Sequence, residues 1–311
     1  MGEKLRFRNE GTFKIAQFTD LHWCNGKAED KKTRSLMEQV IIAENPDLIV
    51  FTGDIIESLR CKDPLQAFED AVSVAVESGI PWAAIFGNHD SEGNVSRQQL
   101  MNLQLSLSGS VAESGPSYIG GVGNYVIRLF GANSDDSAAA VLYFFDSGSY
   151  STVPSIKGYD WVKHRQVEWF SEQANSLKLK HQGIPMQSLA FLHIPLPEYR
   201  EVWERQICYG HRYEKVSCPQ LNSGLFTAMV EAGGVQGVFC GHDHNNDYIG
   251  SISGIKLCYG RSTGYNTYGR WLFQRGARII ELHAGADFTT WLRLANGKKV
   301  TTAHKHKPGI L

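Results

Sequence analysis

The sequence predicts an α/β fold built on a sheet with parallel strands, and three observations point to it. Short apolar runs of strand length alternate with helix-period segments through the first ninety residues. Asp20, Asp54 and Asn88 succeed one another at steps of 34 residues. That is about one βαβ unit, so each step returns the chain to the same edge of a sheet. Finally, five apolar runs each end in Asp, Asn or His.

Phe13 to Thr19 reads as the first strand, Lys31 to Glu44 as a helix and Asp47 to Thr52 as the second strand. The next helix is predicted over Pro64 to Ser78. Asp63 suits its N-cap, Pro64 its first position, and Gln66 could complete a capping box. Leu65, Phe68, Val72 and Val76 mark one face at helical spacing, and Gly79 and Pro81 stop the helix. Trp82 to Phe86 is the third strand. A helix near Ser96 to Leu107 comes next, then a Gly/Ser-rich surface loop over Ser108 to Gly123. Tyr125 to Phe130 and Ala140 to Phe145 are predicted to pair as an antiparallel hairpin through a polar turn at Gly131 to Asp136. Val167, Phe170, Ala174 and Leu177 define another amphipathic helix. Leu189 to Leu192, Val235 to Cys240, Ile255 to Tyr259 and Ala277 to Leu282 complete the strands. The basic stretch Lys298 to Lys307, in a tail over about 298–311, is expected to be solvated. No low-complexity linker or composition break divides the chain, so one domain over residues 1–311 is expected.

The 311 residues are 42% hydrophobic and 20% charged, enough apolar material for a sizeable core. Lys+Arg total 31 and Asp+Glu 32, a formal charge of −1 that offers no bulk attraction to nucleic acid or an anionic membrane. Neither is an expected partner. Apolar runs such as Leu48–Phe51 and Val141–Phe145 are too short to cross a bilayer. Met1 to Asn9 lacks the apolar stretch of a signal peptide, so a cytoplasmic location is expected. The six cysteines show no CxxC spacing. Cys240 and Cys258 are expected as buried thiols, while Cys208 and Cys218 fall in a loop-like segment where an oxidising compartment could pair them.

The chemistry lies at the carboxyl ends of the strands. These endings are Asp20-Leu21-His22, Gly53-Asp54, Gly87-Asn88-His89-Asp90, His193 and Gly241-His242-Asp243-His244. In α/β sheets such ends converge on the ligand crevice, so two Asp, one Asn and up to five His are expected in one pocket. Two divalent or trivalent metals a few ångströms apart need carboxylates to offset their charge, one of them shared, and imidazoles to complete each shell. Mixed nitrogen and oxygen ligation suits Mn, Fe or Zn better than Ca. A water between such metals would be acidified to hydroxide near neutral pH and could attack phosphorus. Each motif alone is weak: Asp-x-His is ordinarily a turn or surface pair, and Gly-Asp a turn. Together and in this order they are specific. His164, His181, His211, His283, His304 and His306 are expected to be surface or structural residues.

The series D-x-H, G-D, G-N-H-D, H and G-H-x-H, complete from Asp20 to His244, resembles that of the calcineurin-like metallophosphoesterases. The resemblance implies a four-layer α/β/β/α sandwich of two mixed sheets with a dimetal site at the sheet edge. It implies that Asp20, His22 and His244 bind one metal, that Asn88, His193 and His242 bind the second, and that Asp54 bridges them. His89 matches the histidine that contacts the phosphate and aids the leaving group, and Asp90 its orienting carboxylate. Further segments, among them Phe145–Tyr150, His193–Tyr199, Asn222–Gly224, Gly241–Asp247, Cys258–Arg261 and Tyr265–Gly269, look like the purple-acid-phosphatase-like branch. One departure matters. That branch's coloured enzymes carry G-D-x-x-Y, whose tyrosinate binds ferric iron, whereas Gly53-Asp54 precedes Ile55, Ile56 and Glu57. A colourless protein that does not require ferric iron is expected, with the rest of the ligand set intact.

The expected function is therefore hydrolysis of a phosphorylated substrate by a metal-bridging hydroxide, with His89 as imidazolium serving the leaving oxygen. A phosphomonoester is the first expectation. A phosphodiester (a cyclic nucleotide or lipid headgroup) is the alternative, and a non-catalytic scaffold a third. Tyr199, Tyr259 and Arg261, with Tyr268 and Arg270, lie near the motif-bearing loops and are expected as substrate contacts. An arginine over the site would favour a monoester dianion over a diester monoanion.

Overall fold

The computed structural model describes residues 4–133 and 138–309. In chain order its elements are β1 (Thr12–Phe18), α1 (Ala28–Glu44), β2 (Leu48–Thr52), α2 (Pro64–Ser78), β3 (Trp82–Ile85), α3 (Arg97–Ser106), β4 (Tyr125–Phe130) and β5 (Ala138–Phe144). Then come α4 (His164–Lys180), β6 (Ser188–Phe191), α5 (Glu198–Arg205), β7 (Cys208–Tyr209), α6 (Leu225–Ala232) and β8 (Val235–Cys240). The chain ends in β9 (Ile249–Ile252), β10 (Ile255–Tyr259), β11 (Gly276–His283), β12 (Ala286–Leu294), β13 (Lys299–Val300) and β14 (Lys305–His306).

The strands form two mixed sheets, one ordered β13-β12-β11-β1-β2-β3 and the other β14-β7-β9-β10-β8-β6-β5-β4. In the first, β1, β2 and β3 run parallel and β11 lies antiparallel to β1. In the second, β5, β6, β8 and β10 run parallel, and β4 pairs antiparallel with β5 as predicted. The turn expected at Gly131 to Asp136 falls partly on residues 134–137, outside the described residues.

Side-chain alternation along the strands sorts the molecule into four layers. Phe13 and Ile15 of β1, Leu48 and Val50 of β2, and Ala83 and Ile85 of β3 meet Leu142, Phe144, Leu189, Phe191 and Phe239 between the sheets. The intervening residues of the first sheet, Phe18, Ile49, Phe51 and Trp82, pack under α1, α2 and α3 through Met37, Val40, Phe68, Val72 and Leu100. Those of the second, Val141, Tyr143, Ala190 and Val238, pack under α4, α5 and α6 through Phe170, Leu177, Val202 and Met229. The central layer is fastened by a run of rings: Tyr125–Phe144, Phe144–Phe191, Phe191–Phe239 and Phe239–Phe288, with centroids 4.5, 5.1, 5.4 and 5.5 Å apart. Such stacked and edge-on pairs add to the burial of the rings themselves.

Local details refine the predictions. Asp63 caps α2 by accepting from the Gln66 N–H at 3.1 Å, but the Gln66 side chain turns to Asp70 and closes no capping box. The basic tail does not simply lie in solvent. β13 extends the first sheet beside β12, β14 extends the second beside β7, and His306 stacks on Trp203 at 3.8 Å. The six cysteines are free thiols; Cys208 is buried on β7, while Cys240 and Cys258 are buried as expected. Among the described residues no helix is long and apolar enough to cross a membrane.

Candidate metal centre

The loops that leave the carboxyl ends of β1, β2, β3, β6 and β8 meet where the two sheets adjoin, and their backbones are tied together. Asp20 N–H donates to the Gly53 carbonyl at 3.1 Å, His22 N–H to that of Asp54 at 2.9 Å, and Gly241 N–H to that of His193 at 3.2 Å. Asp20, His22, Asp54 and His242 adopt positive φ angles of 55, 48, 49 and 79°. For residues with a Cβ this costs about 1–2 kcal/mol each, and such strain persists only where the surroundings over-determine it. Gly87 is needed for another reason: a Cβ there would lie 2.2 Å from Asp54 Oδ1 and 2.7 Å from His193 Nε2.

Two sets of ligand atoms result, each gathered within 4.8 Å. One is Asp20, His22, Asp54 and His244, the other Asp54, His193 and His242, so Asp54 belongs to both. Its Oδ1 accepts the His89 N–H at 2.8 Å, while its Oδ2 lies 3.1 Å from His193 Nε2 and 3.7 Å from His22 Nε2. The imidazoles are aimed from behind. His193 Nδ1 meets the Thr52 carbonyl at 2.7 Å, His22 Nδ1 meets Glu57 at 2.8 Å and His244 Nδ1 meets Thr267 Oγ1 at 2.8 Å. Each of the three therefore keeps Nε2 for the pocket, the usual arrangement behind a metal-binding imidazole. His22 Nε2 lies 3.2 Å from His244 Nε2, and His193 Nε2 lies 3.2 Å from His242 Nδ1.

Asn88 Oδ1 is buried with no hydrogen-bond partner among the described residues, a state that costs free energy unless a cation or water meets it. Facing imidazole nitrogens, a shared carboxylate and an unpartnered amide oxygen fit two metal ions.

The electrostatics stem from burial and proximity. Burial pushes Asp20 up to about 6 against the charge of His193. Burial opposes ionisation of Asp54 too, but His193 beside it holds that carboxyl well below its usual range. His193 loses from burial and gains more from Asp54, reaching about 9. Burial, aided by the charge on His193, drives His242 down to about 3, and burial lowers His244 as well.

His89 lies beside this centre, its ring 5.1 Å from that of His22. The expected orienting carboxylate is corrected. Asp90 is fully buried and accepts the backbone N–H groups of Ile56 at 2.9 Å and Gly87 at 2.7 Å, so it braces the loop. The carboxylates facing His89 Nδ1 are Glu92 at 2.6 Å and Glu57 at 3.5 Å.

The expected substrate contacts are corrected as well. Tyr199 is buried, its hydroxyl donating to the Val238 carbonyl at 2.7 Å. Tyr259 is buried with its hydroxyl on Asp243. Arg261 is buried, pairs with Asp247 and lies over the Phe273 ring. These three support the loops from within. Tyr268 does reach the centre, its ring 4.2 Å from that of His244, while Arg270 lies over Tyr213. Sequence reasoning missed Tyr159, whose ring meets His242 edge-on at 4.3 Å, and Tyr150, whose hydroxyl lies 3.2 Å from Asn88 Nδ2. Tyr150 closes the family-like segment Phe145–Tyr150, so a signal for it was present. None of the six remaining histidines belongs to either ligand set.

Comparison with known proteins bears on the family and the fold. A family model described as calcineurin-like phosphoesterase matches residues 13–246. The chain is 40% identical over 304 residues to "Probable inactive purple acid phosphatase 29" of Arabidopsis thaliana, covering 89% of this chain and 78% of that one. It is 36% identical over 329 residues to "Phosphatase DCR2" of Saccharomyces cerevisiae, covering 96% of this chain and 56% of the relative. Among solved structures, a dimetal phosphatase from Danio rerio superposes with a TM-score of 0.60 at 12% identity, over 89% of this chain and 98% of that one. The purple acid phosphatase PPD1 of yellow lupin also gives 0.60 at 12% identity, over 96% and 54%. At such identities the structures show a shared fold.

Proposed function

The chain belongs to the calcineurin-like phosphoesterase family, and from that premise we propose that it hydrolyses a phosphate ester with two metal ions. Asp20, His22 and His244 would hold one ion, Asn88, His193 and His242 the other, and Asp54 both. The observation that carries the proposal is the shared Asp54, whose Oδ2 faces His22 and His193 at once. When bound, the ions supply positive charge to the phosphate oxygens and an acidified water as nucleophile.

The chain's own residues do the rest. Asp54 divides its work: Oδ1 fixes the His89 backbone and Oδ2 faces the centre, so one carboxylate ties the acid histidine to the metal loops. With Nδ1 of His89 on Glu92, Nε2 is left to hand a proton to the departing oxygen. Loss of His89 or of a metal ligand would mark a scaffold without catalysis, and all eight residues are present.

A phosphomonoester is the first substrate class. One observation favours a diester as the second: the arginines that could grip a dianion are engaged elsewhere. Arg97 holds Asp146 and the carbonyls of Gly87 and Gly148, and Arg275 holds Ser262 and the carbonyls of Thr267 and Tyr268. The experiment compares nitrophenyl phosphate with bis-nitrophenyl phosphate on protein loaded with Mn, Fe or Zn. Turnover that falls in His89→Ala at unchanged metal content supports catalysis. Full metal occupancy with neither ester cleaved would leave only the scaffold.

A further inference from the structure

We infer that Glu92, steadied by Tyr150, is the positioning residue for His89, and that the same tyrosine hydroxyl sets the amide of the metal ligand Asn88. This inference rests on the role proposed for His89 and extends it to residues outside the motif series.

Local backbone puts Glu92 in place. His89 to Ser91 form a single 3₁₀ turn, and in that geometry residues i and i+3 eclipse, so the Glu92 side chain comes back over the His89 ring. Ser58 staples the turn. Its hydroxyl donates to the His89 carbonyl at 2.5 Å and accepts the N–H groups of Glu92 and Gly93 at 2.9 and 3.0 Å. Gly93 allows that approach, because a Cβ there would lie 2.7 Å from the Ser58 carbonyl oxygen.

The carboxylate is then held at both oxygens. Oε2 takes His89 Nδ1 at 2.6 Å, and Oε1 accepts from the Tyr150 hydroxyl at 2.6 Å. That hydroxyl also accepts from Asn88 Nδ2 at 3.2 Å. With Nδ2 engaged, the amide can present only Oδ1 to a metal. One unbroken chain thus runs from Asn88 through Tyr150 and Glu92 to His89. The competing carboxylate, Glu57, is farther from His89 at 3.5 Å and already accepts from His22 at 2.8 Å. A carboxylate on Nδ1 fixes which ring nitrogen carries the mobile proton.

The test uses metal-loaded wild type, Glu92→Gln, Tyr150→Phe, Asp90→Asn and His89→Ala on two esters of unequal leaving ability, nitrophenyl phosphate and phenethyl phosphate (or the matching diesters). A positioned acid matters most for the poor leaving group. Glu92→Gln should lower kcat for the phenethyl ester by about 10- to 100-fold and for the nitrophenyl ester by under about threefold, with KM and metal content unchanged. Tyr150→Phe should show the same split, smaller. Equal losses on both esters, loss of metal with activity in Glu92→Gln, or the split appearing in Asp90→Asn would overturn the inference. A second readout needs no turnover. In metal-free protein the Nδ1 proton of His89, identified by its absence in His89→Ala, should resonate at low field and move upfield in Glu92→Gln. An unmoved resonance would overturn the positioning role even if wild type cleaves neither ester, an outcome that would count against the proposed function alone.

Discussion

Glu57 Oε2 lies 2.8 Å from Nδ1 of His22. Glu57 stands four residues after Gly53, the place where the purple-acid-phosphatase pattern carries its metal-binding tyrosine. His22 is the first-motif residue proposed to bind metal, and the residue at the tyrosine's position braces its ring from behind.

Glu57→Gln should therefore weaken metal binding without unfolding the chain. Burial works against a charge on His22, and Glu57, together with Asp54 and Asp20, outweighs that and raises its basicity. An amide orients the ring but no longer strengthens the nitrogen, and loss of such a partner typically costs about 10- to 100-fold in metal affinity. Titration of metal-free protein with Mn or Zn measures it. An unchanged affinity would show that Glu57 does nothing for His22.

The close approach of Gly87 to Asp54 gives a second expectation. A Cβ at Gly87 would stand 2.2 Å from Asp54 Oδ1 and 2.5 Å from its backbone nitrogen. Asp54 has no room to retreat, because Oδ1 holds the His89 N–H. Gly87→Ala should displace the shared carboxylate, costing about 1–3 kcal/mol of stability and lowering the bound metal below two ions per chain. Elemental analysis and urea unfolding check the two effects separately.

The candidate ligand cluster is legible in the sequence because its residues stand just past apolar strands, Asp20, Asp54 and Asn88 at a fixed step of 34, and parallel strands return their carboxyl ends to one edge. The sequence could not show which carboxylate meets His89. That depends on a 3₁₀ turn of three residues and on Ser58, a residue with no motif of its own. Tyr199 and Tyr259 were drawn toward the cleft by their nearness in sequence to His193 and His242. Packing decides otherwise: Tyr199 from α5 and Tyr259 from β10 both point into the core between helix and sheet, their rings 5.0 Å apart. The pairing of the tail leaves no signal in the sequence, because β13 and β14 are two residues each, too short to carry periodicity.

Tyr199→Phe tests that correction. Its hydroxyl donates to the Val238 carbonyl at 2.7 Å and approaches that of Cys258 at 3.3 Å, joining β8 to β10 from below. Loss of this buried bond should cost about 1–2 kcal/mol, seen as a lower unfolding midpoint. kcat and KM should stay at the wild-type values. A raised KM at unchanged stability would place Tyr199 in the substrate pocket after all.

Asp247 should be a main source of acid sensitivity. It is buried, accepts the His211 N–H at 2.6 Å and pairs with Arg261. Burial disfavours its charge, but His211 and Arg261 outweigh that and hold the carboxyl below its ordinary value. A depressed folded-state value means the unfolded chain takes up the proton first as pH falls. The stabilisation is complete above the ordinary carboxylate value of about 4 and fades below it, as pH passes down through the folded-state value. Asp247→Asn strands Arg261 inside the protein, and breaking one side of a buried pair costs about 3–5 kcal/mol. Urea unfolding should show that full difference from wild type at pH 7 and pH 6 and a shrinking one below about pH 4. Neither Asp247 nor Arg261 belongs to either ligand set, so the variant should bind metal normally once folded. A variant of undiminished stability with a raised KM would instead make Arg261 a substrate contact.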